Sequence, residues 1–134
     1  MMEAAAAWRA FVHDLKVETA DGPMFAGILV YDTHGDVSYE EGWFCNHVTA
    51  EAKRALHPAF ADVQMRTHRL NLDNHAFHVV DNVYGNICAV GRHRKMGLLS
   101  QRFPMGTVVA VFQWPHTLQT TAPIMAKFGR KLCA

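Results

Sequence analysis

The stretch MFAGILVY, residues 24–31, decides the fold of this 134-residue chain. It is short and almost wholly apolar, which is typical of a central strand buried on both faces of a sheet. A second strongly apolar run, VVAVF at residues 108–112, has the same character. Both runs are interpreted as strands, and the rest of the chain is read outward from them.

Shorter strand candidates fill the chain between these two runs, and turns of hairpin length separate most of them. Because such turns join antiparallel neighbours, the sheet is expected to be mainly antiparallel. The candidates are residues 36–39, 69–72, 75–81, 86–90 and 98–103.

Three helices are predicted, at the two ends and in the middle. The first and last each carry one apolar stripe at spacing i, i+4, i+7 and i+11. Packing both stripes on the same face of the sheet covers them most simply. The middle helix begins after Thr49, a good N-cap, and ends near Phe60. The stripes consist of Ala4, Trp8, Phe11 and Leu15, and of Thr121, Met125, Phe128 and Leu132.

The fold class expected is therefore α/β of the α+β kind, with a mainly antiparallel sheet of about six or seven strands. The length suits a single domain over residues 1–134. No apolar run is long enough to suggest a membrane span, and the start lacks the features of a secretory signal.

Charge is divided unevenly along the chain. Residues 1–81 carry 12 acidic and six basic side chains, whereas residues 82–134 carry no acidic and seven basic ones. A half of one sign favours an acidic partner, unless folding intermixes the two halves on the surface.

Catalysis has little support in the sequence. It contains no GxSxG, P-loop or GxGxxG motif, and its nine histidines form no HExxH pair or other metal-ligand spacing. Cys88 lies in a strand, a poor place for a reactive thiolate, and the three cysteines show no disulfide framework. No enzyme, metal or cofactor is expected.

Four features together resemble the profilins, small proteins that bind actin monomers, along nearly the full chain. Trp8 is followed by an aromatic residue three positions later. The run at 26–30 leads to a turn with Asp32 and Gly35. The block 75–97 has strand, turn, strand and basic loop in the family's order. VVAVF then precedes Pro115 and a last helix. The resemblance implies terminal helices on one sheet face and the short middle helix on the other.

The resemblance also implies an actin-binding surface and two smaller ligand sites. The actin surface would comprise Ala76, Val79, Asp81, Arg92, Arg94, Lys95, Thr117, Gln119, Ala122 and Lys127. Arg92, Arg94, Lys95 and Arg102 would bind phosphoinositides through charge-assisted hydrogen bonds. Trp8, Phe11, Lys131 and Leu132 match a groove for proline-rich peptides of proteins such as formins.

Departures from the family pattern weaken the last site. Profilins usually carry a second Trp just after the Asp-Gly turn, where this chain has Ser38, with Tyr39 and Trp43 nearby. Lys131 stands where an aromatic residue or His precedes the final Leu. Weak or absent binding of proline-rich peptides is therefore expected.

The favoured function is actin-monomer binding that regulates polymerisation, by a cytoplasmic, cytoskeletal and monomeric protein. The alternative is a regulatory, sensor or roadblock-like dimerisation domain with no actin binding. A nucleic-acid binder is disfavoured, because the basic half has only Phe103 as an adjacent aromatic for base stacking.

Overall fold

The computed structural model describes residues 2–60, 68–83, 86–91, 95–104 and 106–133. Nine strands and four helices lie in these ranges. In chain order they are α1 Met2–Leu15, β1 Glu18–Thr19, β2 Gly22–Pro23, β3 Gly27–Asp32, β4 Val37–Gly42, α2 Trp43–His47, α3 Ala50–Phe60, β5 Arg69–Leu72, β6 His75–Val83, β7 Asn86–Gly91, β8 Met96–Phe103, β9 Gly106–Gln113 and α4 Leu118–Cys133.

Seven strands form one sheet, in the order β4-β3-β9-β8-β7-β6-β5, and every neighbouring pair is antiparallel. This confirms the predicted sheet. The two apolar runs of the sequence become β3 and β9, which pair along their length from Gly27 opposite Val111 to Asp32 opposite Gly106. The first and last long strands of the sheet are thus neighbours, which brings the helices next to them in sequence together.

The helices α1 and α4 contact each other on one face of the sheet. Ile28 and Val30 of β3 point into the core beneath them, together with Phe11, Leu15 and Met125. All five side chains are at least 96% buried. The expected inward stripes are confirmed for these helical residues, while the side chains of Ala4, Phe128 and Leu132 lie outside the described part of the chain.

The opposite face carries α2 and α3. Leu29 and Tyr31, which alternate with Ile28 and Val30 along β3, pack here with Phe44, Leu56 and Phe60. Successive side chains of a strand point to opposite faces, so a strand covered on both sides must be apolar at every position. This explains why residues 28–31 are without interruption hydrophobic and buried.

Two elements have no counterpart in the sequence-based prediction. The short helix α2 begins at Trp43, directly after β4, and buries Trp43 and Phe44. Gly42 before it has φ of 67°, and a Cβ there would collide with the carbonyl oxygen of Ala26. Only glycine fits this corner comfortably. The second is the β1–β2 hairpin, which lies where only a break after α1 was expected.

No helix among the described residues is long and apolar enough to cross a membrane.

A buried ion pair ties α3 to the sheet. The Lys53 ammonium lies 2.8 Å from a carboxylate oxygen of Glu40 in β4, with side chains 5% and 37% exposed. The backbone carbonyl of Lys53 accepts a hydrogen bond from the Tyr31 hydroxyl. Burial raises the pKa of Tyr31, so this hydroxyl stays protonated as a donor.

Replacing Glu40 with Gln should lower the free energy of unfolding by about 2 kcal/mol, because the buried ammonium loses its counter-charge while one partner stays partly solvated. Urea denaturation measures this loss. Glu18→Gln, at an exposed position of β1, removes the same charge and should change stability by less than about 0.5 kcal/mol. Equal losses in the two variants would contradict a specific role of the pair.

Candidate macromolecule-binding surfaces

One face of β6 is left open beside α4. The helix α4 packs over β8 and reaches β7, which is the neighbour of β6 in the sheet. Phe77 belongs to the core under α2 and α3, and Val79 packs against this core. Successive side chains of a strand point to opposite faces, so Ala76 and His78 point to the α4 side of the sheet. Asp81 pairs with Cys88, which packs against the α1/α4 core, and therefore shares that side. We call Ala76, His78 and Asp81 the β6 face.

Val79 does not belong to this face. It was predicted to contact a partner together with Ala76 and Asp81, but it is a partly buried side chain packed against the opposite core. The reason is the alternation of the strand, which places residue 79 on the side of Phe77. A register shift between Val79 and Asp81 follows, and Val80 at this irregularity is 58% exposed.

An exposed tryptophan lies between β9 and α4, and it was not among the residues predicted to contact a partner. Trp114 directly follows β9, and 72% of its surface is exposed. Its backbone N–H donates to the carbonyl oxygen of Lys95 at 2.8 Å, so Trp114 adjoins the residue that precedes β8. Its sequence signal was a lone Trp before Pro115, outside the apolar period of either element.

The predicted residues of α4 lie along the helix that follows. Thr117 precedes the helix, and its carbonyl accepts the backbone N–H of Thr121 at 3.0 Å. Thr117, Gln119 and Lys127 are exposed and Ala122 is partly buried. Of the predicted loop residues, Lys95 adjoins Trp114, four residues before this helix, while Arg92 and Arg94 lie outside the described residues.

Arg102 lies far from Lys95, which corrects the predicted four-residue phosphoinositide cluster. Lys95 precedes the first residue of β8, and Arg102 is the penultimate residue of that strand. Seven steps of a strand span about 23 Å. A single headgroup cannot contact both side chains. The two residues are close in sequence, but the extended strand between them separates them in space.

A groove runs between α1 and the edge strand β4. It has a volume of about 440 Å³ and is lined by Trp8, Arg9, Val12, His13, Lys16, Ser38 and Tyr39. The rings of Trp8 and Tyr39 lie 5.7 Å apart at an interplanar angle of 46°, and the Arg9 guanidinium lies 5.4 Å from the Trp8 ring centre. We call this the α1–β4 groove.

Two aromatic residues, Tyr39 and Trp43, follow Ser38 in the sequence, and one of them lies beside Trp8 in this groove. Tyr39 takes this place, whereas Trp43 is buried on the other face of the sheet. Phe11 is only 3% exposed and packs in the core under α1. Its ring therefore cannot contact a proline-rich peptide as the resemblance implied. Lys131 and Leu132 lie in α4, but their side chains are outside the described part of the chain.

Glu41 organises one end of the groove. Its carboxylate accepts a hydrogen bond from the Tyr39 hydroxyl at 2.6 Å and lies 3.2 Å from the Lys16 ammonium. The hydrogen bond to Glu41 raises the pKa of Tyr39, and burial adds to it. The same carboxylate raises the pKa of Lys16. Tyr39 is therefore held as a protonated phenol beside an ammonium group.

This architecture is the profilin fold. Similar solved structures include a complex titled LokiProfilin2/Rabbit Actin Complex (TM-score 0.72, 11% identity, 93% of this chain and 94% of that one). LokiProfilin1 is similar with TM-score 0.71, 10% identity and coverage of 98% and 96%. Profilin IA of Acanthamoeba castellanii is similar with TM-score 0.62 and 14% identity, and the match covers 81% of this chain and 85% of that one. No protein-family model matches the sequence, and no curated protein does. The resemblance stated from the sequence is thus confirmed in the fold.

The pKa of Cys88 tests how the β6 face is arranged. Burial raises the pKa of this thiol, and the Asp81 carboxylate raises it further because it repels a thiolate. Asp81→Asn should therefore lower the pKa and speed alkylation at a fixed pH near neutrality. The measurement is the pH dependence of iodoacetamide alkylation with Cys45 and Cys133 replaced by Ser.

Asp36→Asn, in the exposed β3–β4 turn, serves as the control and should leave the Cys88 pKa unchanged. An unchanged pKa in Asp81→Asn would place the two side chains on different faces of the sheet.

Proposed function

We propose that this protein binds actin monomers and thereby regulates actin polymerisation. The observation that carries the proposal is the profilin fold itself, combined with an open β6 face bordered by α4. Two of the similar structures, LokiProfilin1 and LokiProfilin2, are complexes with rabbit actin. Because fold alone does not establish function, support must come from the surface that this chain presents.

The proposed contact surface comprises Ala76 and Asp81 of the β6 face, Lys95, and the α4 residues Thr117, Gln119, Ala122 and Lys127. Arg92 and Arg94 of the intervening loop remain part of the prediction. Actin is acidic, and the cations of this surface favour it through electrostatic steering, which chiefly raises the association rate. Asp81 opposes this attraction at one position.

Trp114 is proposed as the anchor of the surface. Tryptophan is enriched among the residues that dominate binding energy, because its large rigid ring buries much area at a small entropy cost. With 72% of its surface in solvent, Trp114 contributes little to the core and has most of its area left to bury against a partner. It adjoins Lys95 through a backbone hydrogen bond, so an apolar anchor and a cation are presented together.

The proposal is tested by the effect of excess protein on polymerisation of pyrene-labelled actin, including actin from the source organism. Wild-type protein should slow polymerisation by sequestering monomers. Trp114→Ala should weaken monomer binding by about tenfold or more, as expected when a central anchor is truncated. Its free energy of unfolding should stay near that of the wild type.

Val37→Ala is the matched control, because it truncates another exposed apolar residue, 38% exposed in β4, away from the proposed surface. It should sequester actin as well as the wild type does. No effect of wild-type protein on either actin would refute the proposed function. Equal binding by wild type and Trp114→Ala would refute only the anchor.

Two further ligands are proposed for this protein. Phosphoinositide binding is assigned to Arg92, Arg94 and Lys95, since the strand carries Arg102 too far away. Plain proline-rich peptides are expected to bind weakly or not at all, because the groove offers Trp8 and Tyr39 while Phe11 is committed to the core. An actin-binding role implies that the protein acts in the cytoplasm, at the cytoskeleton. Such a role requires binding and no catalysis.

A further inference from the structure

Two histidines from different elements meet beside Trp43 on the α2/α3 side of the sheet. His47 is the last residue of α2, and His75 is the first residue of β6. Strand alternation places His75 on the same side as Phe77, whose ring packs edge-on against Trp43 with the ring centres 6.4 Å apart. The ring centres of His47 and His75 lie 5.5 and 4.8 Å from that of Trp43 and 6.0 Å from each other. We call His47 and His75 the histidine pair.

Hydrogen bonds close to the histidine pair hold the two elements in place. The Asp73 carboxylate, in the β5–β6 turn, accepts the Thr49 backbone N–H at 2.8 Å and the Thr49 hydroxyl at 3.3 Å. Thr49 stands two residues after His47, and Asp73 stands two residues before His75. The indole of Trp43, only 5% exposed, adds a rigid surface against which both imidazoles pack. The pair is therefore positioned by backbone anchors and by a buried ring.

We propose that the histidine pair binds a divalent transition-metal ion of the class of Zn²⁺ and Cu²⁺. Imidazole is a common ligand of both ions, and its bonds to zinc are about 2.0–2.1 Å long. A metal ion bound to one nitrogen of each ring therefore lies about 3.2 Å from each ring centre, which allows a ring separation of up to about 6.4 Å. The observed 6.0 Å lies within this range. Tetrahedral geometry would draw the rings together by less than about 1 Å.

The ligand set determines which ions the site takes. Neutral imidazoles suit Zn²⁺, Cu²⁺ and Ni²⁺, whereas Mg²⁺ and Ca²⁺ require oxygen ligands. Both oxygens of the nearby Asp73 carboxylate already accept hydrogen bonds from Thr49. In the part of the chain that the structure describes, no third His, Cys, Asp or Glu joins the pair in a ligand cluster. The remaining coordination positions are open to water or to a side chain of a partner, which favours an exchangeable ion over a permanent structural one.

The histidine pair is separate from the proposed actin surface. The β6 face points to the α4 side of the sheet, whereas the histidine pair contacts Trp43 of the α2/α3 core. The inference therefore does not rest on actin binding. The spacing of histidines in the sequence did not predict the site, because its two ligands come from elements that only the folded chain brings together.

Trp43 reports on the site, since a Cu²⁺ ion bound to the pair would lie close to its indole and quench its fluorescence. The measurement uses the full chain with Trp8 and Trp114 replaced by Phe, which leaves Trp43 as the only tryptophan. Cys45 and Cys133 are replaced by Ser, so that their thiols do not compete for the ion. Cu²⁺ should quench the emission at one ion per chain, Zn²⁺ should reverse the quenching, and Mg²⁺ should have no effect.

Isothermal titration calorimetry with Zn²⁺ in the same background distinguishes a shared site from two independent imidazoles. His47→Ala and His75→Ala should each weaken binding by about tenfold or more, because losing even a group that orients a ligand costs this much. The double variant should bind no more weakly than either single one, as expected when two residues hold one ion. His47 is exposed, so His47→Ala should fold as the wild type does and can decide the test alone if His75→Ala is unstable.

His34→Ala is the matched control. It removes an imidazole from the exposed β3–β4 turn and should leave the Zn²⁺ affinity unchanged. Three results would overturn the inference. The first is the absence of Trp43 quenching by Cu²⁺, and the second is unchanged Zn²⁺ affinity in His47→Ala. The third is an equal loss in His34→Ala, which would reduce the binding to scattered surface imidazoles.

Discussion

The paired strands β3 and β9, covered on both faces, are the constraint on which the rest of the structure depends. Every residue from Ile28 to Tyr31 is buried, alternately under α1/α4 and under α2/α3. Burial of this much apolar surface supplies the dominant favourable term in folding. It is available only if helices cover both sides, so the two-faced ladder dictates a three-layer arrangement. Because β3 follows α1 and β9 precedes α4, their pairing also brings the terminal helices together on one side.

The same arrangement creates the two candidate binding surfaces. The terminal helices lie over the middle of a sheet seven strands wide, and they leave the sheet accessible on both flanks. Beside α4 the uncovered region is the β6 face, next to Trp114 and Lys95. Beside α1 it is the groove along β4. The two surfaces lie on opposite flanks of the sheet, so neither overlaps the other.

Chemistry differs between the two flanks for reasons that lie in single residues. At the α4 flank, Asp81 of the β6 face adjoins the half-buried Cys88 thiol, and the exposed Trp114 lies beside Lys95. At the α1 flank one carboxylate, Glu41, is already engaged by Tyr39 and Lys16. The uncompensated charge there is cationic.

The sequence by itself determined the element types and the sheet, because period 2 and period 3.6 in hydrophobicity arise from local backbone geometry. Residues 69–72 were placed without error, most other strands differ by a few residues at their ends, and the inward positions Phe11, Leu15 and Met125 are confirmed. The helix α2 was not predicted, because its five residues are too few to show a helical period in hydrophobicity. Only the tertiary structure decided which side chains meet. Tyr39 joins Trp8, Val79 turns to the opposite core, and Arg102 parts from Lys95, because strand alternation and strand rise convert nearness in sequence into opposite faces or opposite ends. The exposure of Trp114 is likewise a property of the packing, because no other element in the described part of the chain covers its ring. No local sequence pattern predicts this exposure.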